Sequence, residues 1–208
     1  MTPRASLSGS IEDPRGQSLA AESLIHGAVV ALPTDTLYGF SAALSHEDAV
    51  RRIAAIKRAP NDRRFIILAS SIDMVEKYVG SFGCATRVSL GELWPASFTA
   101  ILPSGKICPA WVGPTVAIRV PDLAPLRAVI DKVGEPIVST SANRTGELPI
   151  DDAQAILREF GDEIDAVFER NGPGGDASTI VDLCGKTPRV VRGGSYTWDA
   201  TGGAKPSK

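Results

Sequence analysis

Short apolar runs alternate with amphipathic segments along nearly the whole chain, and no fixed period governs the alternation. The runs "AVVAL" (28–32), "FIILAS" (65–70), "FTAIL" (98–102), "TVAIRV" (115–120) and "PIVST" (136–140) are too short for buried helices and read as strands. "DAVFE" (165–169), "STIVDL" (178–183) and "PRVVR" (188–192) read as shorter ones. Between them, helical periodicity predicts helices over 18–27, 45–58, 71–79, 85–94, 123–133 and 151–161. In the clearest, "SHEDAVRRIAAIKR", Ser45 is the expected N-cap, Glu47 and Asp48 suit the positive end of the dipole, and Val50, Ile53, Ala54 and Ile56 form one apolar face. Ser71 or Ser70 is expected to cap the next helix. This interleaving predicts one α/β (α+β) domain on a twisted, mixed, open sheet with flanking helices, rather than a regular βαβ winding.

The chain has 208 residues, enough for a sizeable core. Residues 1–17 are polar and rich in Ser, Pro and Gly and are expected to be a flexible leader. The domain is expected over 18–195, and 196–208 has the composition of a disordered tail.

Several function classes are excluded by what is missing. A formal net charge of −2 carries no global nucleic-acid signature, so any polyanion site must be a local patch. No apolar run reaches the roughly 18–20 residues that span a bilayer, and the N-terminus lacks the apolar centre of a secretory signal. Cys84, Cys108 and Cys184 are odd in number and outside any CxxC spacing, so neither a disulfide framework nor a zinc site is expected, and the expected location is cytoplasmic. The two histidines, His26 and His46, both fall in helical patterns, which speaks against a Ser-His-Asp hydrolase or a zinc enzyme. Neither a GxxxxGK[ST] loop nor a GxGxxG after a strand is present.

Four polar segments remain, all at strand ends, where open sheets place ligands. "PTDTLYG" (33–39) clusters Thr34, Asp35 and Thr36 beside Gly39, which permits close backbone approach; a simple Asx or Ser/Thr turn reads equally well. "STSANRTG" (139–146) delivers Ser139, Thr140 and Ser141 on a strand with Asn143 two residues on, a density suited to binding phosphate or carboxylate; the bland reading is a polar loop. "KRAPNDRR" (57–64) holds four cations, Lys57, Arg58, Arg63 and Arg64, either as an anion-binding corner or as charges that complement a helix C-terminus. Arg119 in "AIRVP" and Arg192 in "VVRGG" interrupt apolar runs, either pointing to solvent or gripping a carboxylate or phosphate.

"LPTDTLYGF", "IKRAP", "TVAIRVP", "PIVSTSAN" and "STIVDL…PRVVRGG" occur in the order and spacing of the YrdC-like family, and the chain resembles it from about residue 18 to 195. The resemblance implies a single domain with a concave cavity, and it implies a threonylcarbamoyl-AMP synthase activity. Such a nucleotidyltransferase joins L-threonine, bicarbonate and ATP, with Mg²⁺, into threonylcarbamoyl-adenylate and pyrophosphate for modification of a tRNA adenosine. Partners implied are tRNA or double-stranded RNA and tRNA-modification proteins. By position, Thr34, Arg119 and Ser139 match the threonine site. Lys57, Ser141 and Asn143 match the catalytic set, and with Arg58 and Arg192 they match the nucleotide site. No protein metal ligand is implied.

Three departures stand out. Ala59 occupies the arginine position of the family's Lys-x-Arg signature, and Arg63-Arg64-Phe65 replaces its Lys-Pro-Leu or Lys-Gly-Leu. "WPASFT" (94–99) replaces Trp-Pro-Gly-Pro-x-Thr. The first two resemble the YciO-like branch, so a divergent paralogue that binds nucleotide or double-stranded RNA without turnover stands as the alternative.

Overall fold

The apolar runs become strands in the computed structural model, which describes residues 5–59, 65–172, 174–198 and 203–207. In chain order the first elements are β1 (Ser6–Ser10), α1 (Pro14–Ile25), β2 (Val30–Leu32), β3 (Gly39–Ala43), α2 (Glu47–Ile56), β4 (Ile66–Leu68), α3 (Ile72–Tyr78) and α4 (Cys84–Leu93). There follow β5 (Phe98–Pro103), β6 (Thr115–Arg119), α5 (Ala124–Val133), β7 (Ile137–Ser141), α6 (Ala153–Phe160), β8 (Ala166–Glu169), β9 (Thr179–Asp182), β10 (Arg189–Arg192), β11 (Tyr196–Trp198) and β12 (Ala204–Pro206). A ten-stranded sheet runs β1-β8-β2-β3-β7-β4-β6-β5-β9-β10. Its ladders are parallel at β1/β8, β8/β2, β4/β6 and β5/β9, and antiparallel elsewhere. The sheet is therefore mixed, as expected from the irregular spacing.

Both faces of the central strands are buried, which is why these strands read as unbroken apolar runs. Alternate side chains enter separate clusters. Ile67, Val138, Phe40 and Ala42 join one with Ile53 of α2 and Phe160 of α6. Leu68, Ile137 and Ala43 join the other with Leu24 of α1 and Leu126, Val129 and Ile130 of α5.

The helix signals were local and are met within one to four residues. Asp152 accepts from Ala155 N at 2.7 Å and Ser71 from Met74 N at 3.2 Å, so Ser71 rather than Ser70 is the cap of α3. Ser45 is not the cap of α2. That position falls to His46, and the Ser45 hydroxyl instead donates to Glu135 Oε1 at 2.6 Å. The loose leader expected over 1–17 is corrected from residue 5 onward: β1 adds to the sheet edge beside β8, and α1 starts at Pro14, capped by Asp13. The small polar residues of β1 suit an edge strand, where few side chains are covered. The tail expected to be disordered is also structured over its described part. There β11 pairs with β12, and the Trp198 ring stacks on Phe98 with centroids 5.6 Å apart. Strand β3, "GFSAA", was not anticipated, because its small residues carry little strand propensity. Arg63 and Arg64 lie outside the described residues.

Candidate functional site

The hollow arises on the face that α1 and α5 cover only in part. Under those helices β3, β7 and β4 present Ala43, Ile137 and Leu68. Further along the same face, register pairs Ser41 with Ser139, Ser139 with Ile66, and Gly39 with Ser141. Large residues thus give way to glycine and hydroxyls, and a cavity of about 220 Å³ opens above them. Its other sides are Thr34, Thr36, Leu37, Tyr38, Arg119 and Arg192, with Ala177 and Ser178. Gly39 is required here by close approach: a Cβ would stand 2.4 Å from Ser139 Oγ.

Arg119 reaches the cavity from the C-terminal end of β6 and is 4% exposed. Its Nη1 donates to Asp35 Oδ2 at 3.3 Å and its Nη2 to Thr36 Oγ1 at 3.1 Å, with Asp35 Oδ1 3.1 Å from Nη2. Thr34 Oγ1 donates to Leu37 O at 2.7 Å and lies 2.9 Å from Thr36 Oγ1, so the "PTDT" hydroxyls form one array facing the arginine. Asp35 Oδ2 also accepts from Ser97 Oγ and from Asp122 N. Burial lowers the Arg119 pKa; Asp35 opposes that shift, and Arg192 adds to it. Two guanidiniums therefore line one cavity, and Asp35 pairs with one of them from behind its lining. The Arg119 Nε–H is buried without an acceptor, a donor that an anionic ligand would satisfy. Arg192 donates to Ser178 O at 2.8 Å and to Ser178 Oγ at 3.0 Å. No carboxylate among the described residues pairs with it.

Lys57, Ser141 and Asn143 come together, but behind the cavity wall. Lys57 is 1% exposed, and its Nζ donates to Ser141 O (2.6 Å), Asn143 O (2.9 Å) and Asn143 Oδ1 (2.7 Å). Ser141 Oγ donates to Asn143 Oδ1 at 2.7 Å, and Asn143 Nδ2 to Glu147 O at 2.6 Å. Of the three, only Ser141 lines the cavity. Helix α2 has ended by this point. Arg58 N donates to Ala55 O and Ala59 N to Ala54 O, a Schellman closure with Arg58 in the left-handed region at φ 51°. Arg58 is exposed and is not among the cavity residues, so the nucleotide role expected of it finds no geometric support. Neither histidine lines the cavity; His46 Nε2 lies 2.8 Å from Ile25 O.

Three residues that matter to the site were not singled out from the sequence. Arg144 packs over Phe160, donates to Ile56 O at 2.5 Å and pairs with Glu163. Arg170 and Asp151 pair behind the "PTDT" loop with Nη2–Oδ1 at 2.7 Å. Their signals were obscure because each reads as an ordinary loop or helix-cap charge.

The fold and the cavity define a mixed α/β protein with a preformed, cation-rich pocket floored by hydroxyls. The family model Sua5_yciO_yrdC, described as "Telomere recombination", matches residues 22–194, and the chain belongs to that family. Among its relatives, a threonylcarbamoyl-AMP synthase of Chromobacterium violaceum is 33% identical over 181 residues, covering 86% of this chain and 93% of the relative. One of Cellvibrio japonicus is 32% identical over 177 residues, covering 83% and 93%. The crystal structure of P. abyssi Sua5 complexed with L-threonine superposes with a TM-score of 0.82 at 28% identity, over 88% of this chain and 55% of that one. The chain thus spans a little over half the length of that Sua5. E. coli YciO has a TM-score of 0.81 at 24% identity, over 91% and 96%, and shares the fold.

Proposed function

We propose that the protein is a threonylcarbamoyl-AMP synthase, forming threonylcarbamoyl-adenylate and pyrophosphate from L-threonine, bicarbonate and ATP for tRNA modification. The observation that carries this reading is the buried Arg119, its Nε–H without an acceptor, beside the Thr34–Thr36 hydroxyls and over the Ser139 floor. A carboxylate with a neighbouring hydroxyl matches that donor set. Arg119 holds the threonine carboxylate, and Thr34 and Ser139 orient the amino acid. Arg192 and Ser141 take the nucleotide phosphates. Lys57 and Asn143 act by fixing the Ser141 strand end. The threonine amine and bicarbonate give a carbamate with loss of water. A carbamate oxygen then attacks the α-phosphorus, and the bond to the β-phosphate breaks as pyrophosphate leaves. This step brings two anions together, so guanidiniums and preorganised donors matter more than a general base.

Among the described residues no group of three His, Cys, Asp or Glu could hold a metal ion, and Asp35 is engaged by Arg119. Mg²⁺ would enter as the counter-ion of ATP and would neutralise phosphate charge there. No helix among the described residues is long and apolar enough to cross a membrane. Partners of the finished adenylate are a tRNA and the proteins that act on it.

Incubation with ATP, labelled bicarbonate and threonine is expected to yield labelled adenylate and stoichiometric pyrophosphate; absence of both overturns the assignment. A second reading, a paralogue that binds nucleotide or double-stranded RNA without turnover, is favoured by Ala59 and by an exposed Arg58 that is not among the cavity residues. It requires ATP binding with no pyrophosphate release.

A further inference from the structure

Parallel pairing of β2 with β8 matches Val30 to Ala166 and Ala31 to Val167. Continued beyond the strands, this register sets Arg170 beside Thr34, the first residue of the cavity loop. The Arg170 side chain is 4% exposed. Its Nη1 donates to Thr34 O at 2.6 Å, and its Nη2 reaches both Asp151 oxygens at 2.7 Å. Its guanidinium carbon lies 5.1 Å from the centre of the Tyr38 ring. Asp151 in turn accepts from Tyr38 N at 3.2 Å and from Gly174 N at 3.2 Å. The loop is therefore gripped at both ends, at Thr34 O and at Tyr38 N. Gly174 presses on its middle: a Cβ there would meet Thr36 O at 1.9 Å.

Neither Arg170 nor Asp151 lines the cavity, and Asp152, not Asp151, caps α6. A guanidinium only 4% exposed, paired with a carboxylate left 31% exposed and serving neither ligand contact nor helix cap, needs another reason to be there. We propose that Arg170 and Asp151 are positioning residues, a brace that sets the Thr34–Tyr38 loop in the conformation that receives the amino-acid substrate. The proposal rests on the reading of Thr34 and Arg119 as the threonine site. The brace works by direction as well as charge. One guanidinium fork spans a backbone carbonyl and a carboxylate at once, which an ammonium cannot reproduce.

The test is calorimetric titration of the full chain with L-threonine and, separately, with ATP, for wild type, Arg170→Met, Arg170→Lys and Asp151→Asn. Loss of the brace is expected to weaken threonine binding at least about tenfold, as small misplacements of binding groups do, with ATP affinity held within about twofold. Arg170→Lys is expected to share most of the loss. The near-isosteric Asp151→Asn removes the charge that Arg170 grips, and with it the hold on the side chain that faces Tyr38 N and Gly174 N, and serves where the methionine variant fails to fold. Threonine affinity within about twofold of wild type, or equal loss of both ligands, overturns the proposal. If wild type itself does not bind threonine, the functional reading falls, and amide exchange then decides the brace. Faster exchange at Tyr38 and Gly174 in Asp151→Asn, with Ser139–Ser141 unchanged, supports it; unchanged exchange at Tyr38 overturns it.

Discussion

On one side of the cavity the Thr34–Tyr38 loop is held between two guanidinium–carboxylate pairs, the buried Arg119–Asp35 and the partly exposed Arg170–Asp151. On the other, Lys57 sends its ammonium into the carbonyl oxygens of Ser141 and Asn143 and the Asn143 side chain. The first wall is built from formal charges that offset one another, so deleting Asp35 strands Arg119 in a dry site. In the second, a cation organises neutral acceptors, and deleting it leaves oxygens short of a donor. Both fix backbone geometry, yet the charge wall is the more brittle. That wall is also the one facing the cavity, whereas the Lys57 network stands behind it.

The most severe way to break this contrast is Asp35→Asn. It leaves Arg119, already destabilised as a cation by burial, without its counter-charge, and should lower stability by about 3–5 kcal/mol in urea unfolding. A loss below that of Lys57→Met would reverse the ranking of the walls. Lys57→Met itself should cost about 3 kcal/mol, from buried acceptors left without a donor, and should abolish adenylate formation by releasing the Ser141 end. Gly39→Ala tests the floor between them. Its Cβ would collide with Ser139 Oγ, so about 2 kcal/mol of destabilisation and loss of threonine binding are expected, measured by thermal melts and titration.

The smallest effect concerns Arg144 and Glu163, which support the second wall through Ile56 O. The hydrogen bond from Arg144 holds the Glu163 carboxyl below its ordinary 4.5. A depressed folded value means the pair contributes stability above pH 4.5 and loses it as pH falls through the lower folded value. Wild type should thus exceed Glu163→Gln near neutral pH and converge with it in acid, as read from unfolding midpoints across pH.

Much of this architecture was legible in the chain. Helices announced themselves through local periodicity and caps, and strands buried on both faces announced themselves as unbroken apolar runs. What escaped was decided by tertiary placement. Strand β1 is polar and β3 is built of small residues, so neither carries a strand signal by itself; each forms because a neighbouring edge is open to it. At the site, "PTDT", Arg119, "STS" and Arg192 could be found because polar residues at strand ends are conspicuous. Arg170 and Asp151 could not, since their significance depends on the β2/β8 register that sets them behind Thr34. The helix expected to run to Arg58 also ends earlier, because Lys57 is the C-cap of α2 and its next residue turns left-handed.

The run of small residues along Ala43, Ser41 and Gly39, facing Ile137, Ser139 and Ser141, has a consequence for folding as well as binding. Where that row passes under α1 and α5, helix side chains complete the packing; where it leaves them, the space is left for a guest. A ligand seated there becomes a part of the interior that the chain itself does not encode. Occupancy then acts as a thermodynamic variable of the folded state, growing with free ligand concentration relative to its dissociation constant. Binding, in that sense, adds to the core one member that the surroundings supply.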